Sequence, residues 1–430
     1  MMKINILLII ILTCAATSTS IRNFKNVPGI DFYQFWAVDK AQEISGHQIR
    51  NPYKEQVKYR AVLAYHAEHS SDTRLKKVSA FRKTLDLCAT PLFYSLFALF
   101  PGDYSSAISI YQVIQIASFL ISLISLGILY KERKRSFLVL ALVLLLFYRP
   151  LHSELRVVNV NTLQLAAATL LILFAEYICH ANRRILAGNI LLMCGLAFIT
   201  LVKPNLVPVT LMLAMHVQAR HGTRTFLISM ISYVVSCGLL FLFTSHFFSS
   251  WTIWLDWYNF LIGSDNTKLF YPVSQGNYAP VLLLAEHLNI SRSMATASFS
   301  GGLLLTVLCA PVIQQARDGF SKQQFFQSVL SPLQNPNLAV AIGIIVMLTL
   351  SPLVWFHYYV LSLLPALWLI VGKQAGVFGA ILGTTSLLLT GNIIFPLLSQ
   401  LFGWSLPIPL GIAGGLIPLW LGVLIVLSRE

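Results

Sequence analysis

Apolar segments alternate with short polar stretches along most of the chain. This pattern predicts membrane-spanning helices, because a helix of roughly 20 apolar residues crosses the hydrocarbon core of a bilayer. The predicted spans are 4–16, 105–129, 137–147, 162–178, 185–201, 209–217, 226–243, 295–313, 338–350, 360–371, 377–389 and 409–427. The expected fold class is an all-α polytopic membrane protein with about 12 transmembrane helices.

Basic residues predict the orientation of these spans. The run 131–135 is the most basic of the short loops, and further basic clusters follow at 183–184 and 220–224. Because Lys and Arg in short loops stay in the cytoplasm, these loops and the C-terminus are expected inside. The long stretch 20–103 is then the first extracytoplasmic loop, since long loops cross the membrane regardless of charge. Residues 1–430 are expected to form a single membrane domain without internal repeats.

The first hundred residues hold three further predicted features. Residues 4–16 form either a cleaved signal peptide or a retained first helix, since a run of small residues follows them. Residues 37–45 are expected to form an amphipathic helix on the membrane surface, preceded by aromatic residues 32–36 lying flat at the interface. Residues 87–100 are expected to form a second interfacial or re-entrant piece, opened by Thr90 and Pro91.

The composition supports a membrane protein. Of 430 residues, 56% are hydrophobic and 11% are charged, whereas a soluble protein carries roughly 25% charged residues. The net charge of +14 does not predict nucleic-acid binding, because most of the excess lies in short loops and no RNA-binding motif is present. The six cysteines are scattered, so neither a disulfide framework nor a zinc site is expected.

One short stretch has the residue types of a metal site. His66, Glu68 and His69 are followed closely by Asp72. Because the stretch lies on a predicted loop and the spacing is unspecific, a solvated loop is the favoured interpretation. No metal or cofactor is predicted.

Unusual polar residues collect on the predicted outer side of the membrane. A charged group at membrane depth costs several kcal/mol unless it faces a cavity or a partner, so each is a candidate for function. They are Asp31, Arg149, Glu154, Arg156, Asn159, Asn161, Lys203, Asn277 and His357. Lys203 ends a span and is followed by Pro204 and Pro208, which is typical of a broken helix lining a cavity. The alternative for Lys203, and for Arg149, is a long side chain that snorkels to the headgroups.

Other candidates also have structural alternatives. Asp31 is either a catalytic carboxylate or the N-cap of the aromatic helix that follows it. His357 is either a phosphate ligand or part of an interfacial aromatic belt. Asn159 and Asn161 precede a span and could serve only to bind the unpaired backbone groups at its end.

Several short motifs occur in a recognisable order. They are Asp31-Phe32 with Tyr33, Trp36, Ala37, Gly46 and Pro52-Tyr53; Thr90-Pro91-Leu92-Phe93; Val158-Asn159-Val160-Asn161; Lys203-Pro204; and Ser351-Pro352 with Trp355 and His357. The ordered set resembles the polyprenol-phosphate-mannose-dependent mannosyltransferases of the GT-C superfamily, the group related to phosphatidylinositol mannoside synthesis. The chain departs from that pattern in an apparent insertion at 54–89 and in the loss of Gly and Gln before Asn161.

The resemblance implies an inverting sugar transfer from a polyprenyl-phosphate donor to a glycolipid or glycan acceptor, without nucleotide sugar, metal or cofactor. Asp31 is then the expected base, since a positioned carboxylate can accept the proton of the attacking hydroxyl. The expected ligands are Lys203, Arg156 and His357 for the donor phosphate, and Tyr33, Asn161 and Asn277 for the acceptor or sugar. The enzyme is expected in the cytoplasmic membrane, in contact with its lipids, with the site facing outward.

Two other classes of protein remain as alternatives. A lipid or sugar transporter would have paired broken helices or repeat symmetry, with polar residues at mid-membrane in both halves. A polysaccharide ligase or polymerase would have its large outer loop late in the chain. Here the unusual polar residues lie on one predicted face, and the largest loop is the first.

Overall fold

The computed structural model describes residues 29–82, 87–130, 134–180, 185–262, 272–302, 330–372, 374–402 and 408–427, together with residues 14 and 18. Within these ranges the regular structure is helical, and no strand is present beyond an isolated antiparallel bridge between Asn277 and Trp355. The α-helices are α1 Ile30–Ile44, α2 Gln56–His69, α3 Thr73–Phe81, α4 Pro91–Phe97, α5 Tyr104–Leu129, α6 Lys134–Phe147, α7 Arg149–Val157, α8 Asn161–His180, α9 Ile185–Val202, α10 Val207–Phe247, α11 Ile253–Ile262, α12 Pro280–Leu288, α13 Pro336–Leu350, α14 Leu363–Val371, α15 Gly376–Thr390, α16 Ile394–Phe402, α17 Ile408–Gly414 and α18 Leu416–Leu427.

Long apolar helices dominate the described part of the chain. Five of its helical segments are long and apolar enough to cross a membrane: Tyr104–Leu129, Asn161–Ile178, Ile185–Val202, Pro204–Phe247 and Ile408–Leu427. Shorter apolar helices cover Pro336–Leu350, Phe356–Val371 and Gly376–Thr390. This composition supports the expected all-α membrane protein. The predicted first span, the basic residues 131–133, most of the span 295–313 and the C-terminal residues 428–430 lie outside the described residues.

Helix α10 contains both spans predicted at 209–217 and 226–243. It has 41 residues, and Gly222 interrupts it with non-helical angles of φ 80° and ψ 169°. Glycine is suited to this position because it lacks the Cβ that disfavours positive φ. A continuous helix of this length would measure about 60 Å, twice the thickness of a hydrocarbon core. The interruption at Gly222 therefore divides α10 into two shorter segments, 207–221 and 223–247.

The helix predicted at 37–45 is present as part of α1, but the expectation that the aromatic residues 32–36 lie flat at the lipid interface is wrong. Helix α1 begins at Ile30, and its aromatic residues are buried inside the protein, with Phe32 0% and Trp36 3% exposed. The ring of Phe32 lies 5.7 Å from that of Phe97 and 5.2 Å from that of Tyr111, measured between centroids. Aromatic partners on α4 and α5 thus replace the lipid interface that the sequence pattern suggested.

The described part of the apparent insertion, residues 54–82 and 87–89, is folded and anchored. It forms α2 and α3, so His66 and His69 lie on a helix, not on the predicted loop. Asp72 caps α3 by accepting from the backbone N–H groups of Arg74 and Leu75. The same carboxylate accepts from the backbone N–H of Ser105 at 3.0 Å and from its hydroxyl at 2.9 Å. Asp72 therefore joins the segment to the start of α5 and is not a free ligand. Among the described residues no His, Cys, Asp and Glu side chains form a group that could hold a metal ion.

Two apolar clusters define the interior. The larger one lies among α8, α9, α10, α13 and α14, and Tyr358 belongs to it. The smaller one lies among α1, α4 and the first turns of α5, and Val158 and Val160 belong to it. Asn159 and His357 therefore stand where the two clusters meet.

Candidate active site

Asp31 lies in the first turn of α1, and its carboxylate binds two side chains. Its Oδ1 accepts from Arg82 Nη2 at 2.9 Å, and its Oδ2 accepts from Asn159 Nδ2 at 2.7 Å. The side chain remains 15% exposed. The N-cap position of α1 is held by Gly29, and no side chain caps it. The alternative that Asp31 is an N-cap is therefore wrong.

Gly29 determines how the chain enters α1. Its φ of 64° lies in the left-handed region, and a Cβ there would collide with the Ile108 side chain. The Gly29 carbonyl oxygen accepts from the Tyr104 hydroxyl at 3.2 Å. Because both neighbours belong to α5, the position of Asp31 depends on the packing of α1 against that helix.

Arg82 is a member of the site that the sequence did not predict. It follows α3 within the apparent insertion, and its Nε also donates to the backbone oxygen of Ile30 at 3.3 Å. Arg82 thus donates both to the backbone of Ile30 and to the side chain of Asp31, in the first turn of α1. In the sequence it is one of many basic residues in a long loop, and nothing about its spacing distinguishes it.

Asn159 joins Asp31 to a histidine. Its Nδ2 lies 3.2 Å from His357 Nε2, and its Oδ1 accepts from the Val160 backbone N–H at 2.7 Å. Its backbone oxygen accepts from Gln115 Nε2 at 2.6 Å and from the Tyr111 hydroxyl at 3.2 Å. Asn159 therefore does more than bind backbone groups at a helix end, since its side chain contacts Asp31 and His357.

His357 is buried, with its Nε2 3.8 Å from Asp31 Oδ2. The segment that carries it is held by Asn277, whose Oδ1 accepts from the Val354 backbone N–H at 3.0 Å. The Asn277 Nδ2 donates to the backbone oxygen of Pro352 at 3.0 Å. The amide of Asn277 is thus bound to backbone groups that position His357.

Lys203 lies between α9 and α10, and the residue is half-buried. Its Nζ is 5.7 Å from the ring centroid of Tyr358, the residue after His357. It lies within electrostatic range of Asp31 and Glu154, yet no described residue forms an ion pair or hydrogen bond with its ammonium. A cation of this kind could receive an anionic ligand.

Glu154 is a completely buried carboxylate on α7. It accepts from the Asn161 backbone N–H at 2.6 Å, from Asn161 Nδ2 at 2.8 Å and from the Thr162 backbone N–H at 3.3 Å. Burial raises the pKa of Glu154 to about 7, and the nearby charge of Asp31 acts in the same direction, while the bonds from Asn161 oppose them. Glu154 therefore caps the start of α8, the helix that follows the loop bearing Asn159.

The remaining candidates lie apart from the Asp31 carboxylate. Arg149 and Arg156 are exposed on α7. Tyr33 is 2% exposed and packs between Trp36 and Tyr104. Asn161 is bound to Glu154. The structure thus brings Asp31, Asn159 and His357 together, adds Arg82, and leaves Arg156 on the surface.

A second aspartate outside this cluster has a similar ion pair. Asp256 on α11 accepts from Lys54 Nζ at 2.8 Å, from Asn51 Nδ2 at 2.7 Å and from the Thr252 hydroxyl at 2.9 Å. Burial raises the pKa of Asp256, but the bonds from these donors outweigh it and hold the pKa below its usual range. Asp256 therefore joins α11 to residues 51–54.

The arrangement around Asp31 combines a partly accessible carboxylate, a buried imidazole and a nearby ammonium that pairs with no carboxylate of the described residues. The Asp31 carboxylate forms an ion pair with Arg82 and keeps part of its surface accessible. A positioned carboxylate of this kind can accept a proton from a bound hydroxyl. Comparison of the chain with protein-family models, with curated proteins and with solved structures finds no match.

Proposed function

We propose that the chain is a membrane glycosyltransferase that moves a sugar, with mannose the first candidate, from a polyprenyl-phosphate donor to a lipid or glycan acceptor. The observation that carries the proposal is the Asp31 carboxylate, which Arg82 and Asn159 orient beside His357. The acceptor oxygen attacks the anomeric carbon while its proton passes to Asp31. The bond from that carbon to the phosphate oxygen breaks, and the polyprenyl phosphate leaves with inversion at the sugar.

The leaving phosphate is the part of the reaction that needs positive charge. Lys203 supports this role because it is half-buried and its ammonium has no anionic partner among the described residues. His357 is proposed as a second phosphate ligand, because it precedes Tyr358, the residue whose ring lies next to the Lys203 ammonium. Charged groups fixed where negative charge develops in the transition state contribute strongly to catalysis.

The proposed architecture is GT-C-like, with about 12 spans and the Asp31 cluster on the extracytoplasmic side of the cytoplasmic membrane. A reporter active only outside the cytoplasm tests this side. Fused after Gly276 it is expected to be active, and fused after Lys134 inactive. The reverse pattern would show that Asp31 lies on the cytoplasmic side. A polyprenyl-phosphate donor presented outside the cell could then not reach it, and the proposal would fail.

The function is tested by supplying radiolabelled polyprenyl-phosphate sugars to membranes that contain the protein. A new labelled glycolipid or glycan is expected with one of these donors, and membranes containing Asp31→Asn serve as the matched blank. Label that crosses the membrane without any new glycosidic product would instead indicate a transporter. Joining of preformed glycan chains would indicate a ligase or polymerase.

A further inference from the structure

The orientation of the Asn159 amide is fixed by the chain itself. The Val160 backbone N–H donates to Asn159 Oδ1 at 2.7 Å, so this atom must be the amide oxygen. The NH₂ group then faces the other way, toward Asp31 and His357. Its two N–H groups meet two acceptors, Asp31 Oδ2 at 2.7 Å and His357 Nε2 at 3.2 Å.

This geometry determines the proton position on His357. An amide NH₂ only donates, so His357 Nε2 must contribute its lone pair and carries no proton. In a neutral imidazole the proton then resides on Nδ1. No described residue accepts a hydrogen bond from Nδ1, which leaves that N–H for a ligand.

Asn159 is itself held in place from α5. Gln115 and Tyr111 both donate to its backbone oxygen, at 2.6 Å and 3.2 Å. The asparagine is 5% exposed, and Gln115 is completely buried. These bonds fix the backbone of Asn159. Turning its side-chain amide would break the buried hydrogen bond from the Val160 backbone N–H to Oδ1, which is costly.

We propose that Asn159 is a positioning residue that aims the Asp31 carboxylate and fixes His357 as the tautomer with its proton on Nδ1. With Nε2 unprotonated, His357 does not donate to Asp31, and the carboxylate keeps a lone pair for the acceptor hydroxyl. The Nδ1–H group is directed to an anionic ligand. Its use on a phosphate oxygen rests on the proposed function, whereas the tautomer does not.

The tautomer is measured directly by NMR on the full-length protein in detergent micelles, with ¹⁵N-labelled histidine and no substrate. The chain has 10 histidines, and the His357 signals are identified by their loss in His357→Gln. We expect the ¹⁵N shifts of an unprotonated Nε2 and a protonated Nδ1. A protonated Nε2 in the wild-type protein would overturn the proposal.

Asn159→Ala removes the donor that holds Nε2 unprotonated. Asp31 Oδ2 lies 3.8 Å from Nε2 and can accept a hydrogen bond from it after a small shift, so the proton is expected to move to Nε2. Asn205→Ala is the matched control, because Asn205 contacts Gln164 and Met347 but not His357, and its spectrum should keep the Nδ1–H tautomer. An unchanged tautomer in folded Asn159→Ala would show that Asn159 does not fix it.

The catalytic consequence is measured separately with the labelled donor. We expect Asn159→Ala to lower sugar transfer about 100-fold, in line with the cost of misplacing reacting groups. A wild-type rate would contradict the positioning role. If wild-type protein transfers no sugar but has the Nδ1–H tautomer, the glycosyltransferase proposal fails while the assignment of His357 stands.

Discussion

Asp256 and Asp31 each pair with a cation of the segment 54–82, Lys54 at its start and Arg82 at its end, yet the surroundings of the two aspartates differ. Asp256 pairs with Lys54, and Asn51 and Thr252 both donate to its other oxygen. Asp31 pairs with Arg82 but receives one donor on each oxygen from the described residues. The ion pair is common to both, so it cannot by itself mark a catalytic residue. What distinguishes Asp31 is its unused lone pairs and its proximity to His357.

The largest effect is expected from substituting each aspartate in turn. Asp31→Asn keeps the size of the side chain but removes its ability to accept a proton, so transfer should fall about 100-fold or more at a normal protein level. Asp256→Asn should lower the melting temperature, because the Asp256 side chain is buried and the substitution weakens the hydrogen bonds it accepts from Asn51 and Thr252. The transfer rate per folded molecule should stay within a few-fold of wild type. The labelled-donor assay and thermal unfolding measure the two effects.

Equal losses of transfer in the two variants would show that both aspartates act through the fold. Wild-type transfer by Asp31→Asn would place the base elsewhere.

The next largest effect is expected at Lys203, whose ammonium pairs with no carboxylate in the described part of the chain. Lys203→Ala should reduce transfer about 30- to 1000-fold, the equivalent of roughly 2–4 kcal/mol of transition-state stabilisation. Lys203→Arg should be partly active, since it keeps the charge and changes the geometry. Lys76→Ala, on the exposed face of α3, is the control. Full activity of Lys203→Ala would support the snorkelling alternative.

A smaller effect on sugar transfer is expected at Arg82, and none at Lys54. Arg82→Ala should lower transfer about tenfold, because Asp31 loses one of the two groups that orient it. Lys54→Ala should have no measurable effect on transfer, since its side chain is 62% exposed and such pairs contribute at most about 1 kcal/mol. Arg82→Lys tests whether charge alone suffices. Transfer at the wild-type rate in Arg82→Ala would show that Arg82 is not needed to orient Asp31.

The smallest effect concerns pH and Glu154. Because the pKa of Glu154 is raised to about 7 in the folded protein, folding favours its protonated form. Its contribution is complete at low pH and is lost as the pH rises through about 7. The melting temperature should therefore fall by a few degrees between pH 5 and pH 8.

Glu154→Gln should flatten this dependence, since the amide does not titrate and Asn161 can turn its unpaired Oδ1 toward it. Thermal unfolding in detergent at both pH values measures the difference. An equal fall in the variant would assign the dependence to another group.

Much of the helical framework was predictable because membrane spans are long and uniformly apolar. The predicted spans 105–129 and 185–201 agree with α5 and α9 to within one residue at each end. The start of α1 was misjudged because Phe32 and Trp36 have the composition of an interfacial belt, whereas their partners on α4 and α5 bury them. Composition does not report which surface an aromatic side chain faces.

The site was predictable only in part. Asp31 and His357 were identified because a charged or polar residue stands out beside an apolar segment. Arg82 was not, because one arginine among many in a polar segment has no distinguishing pattern. The central role of Asn159 depends on a contact with a residue 198 positions away, and no local pattern encodes such a pairing.

The order in which the partners of Asp31 emerge from the ribosome has a consequence for biosynthesis. Arg82 follows it by 51 residues, Asn159 by 128, and His357 comes a further 198 residues later. At a translation rate of roughly 5–20 residues per second, the last partner appears about 15–60 s after the aspartate. During this interval Arg82 is the partner that the carboxylate can meet first. The arginine thus provides a counter-ion for the carboxylate long before the rest of the site exists.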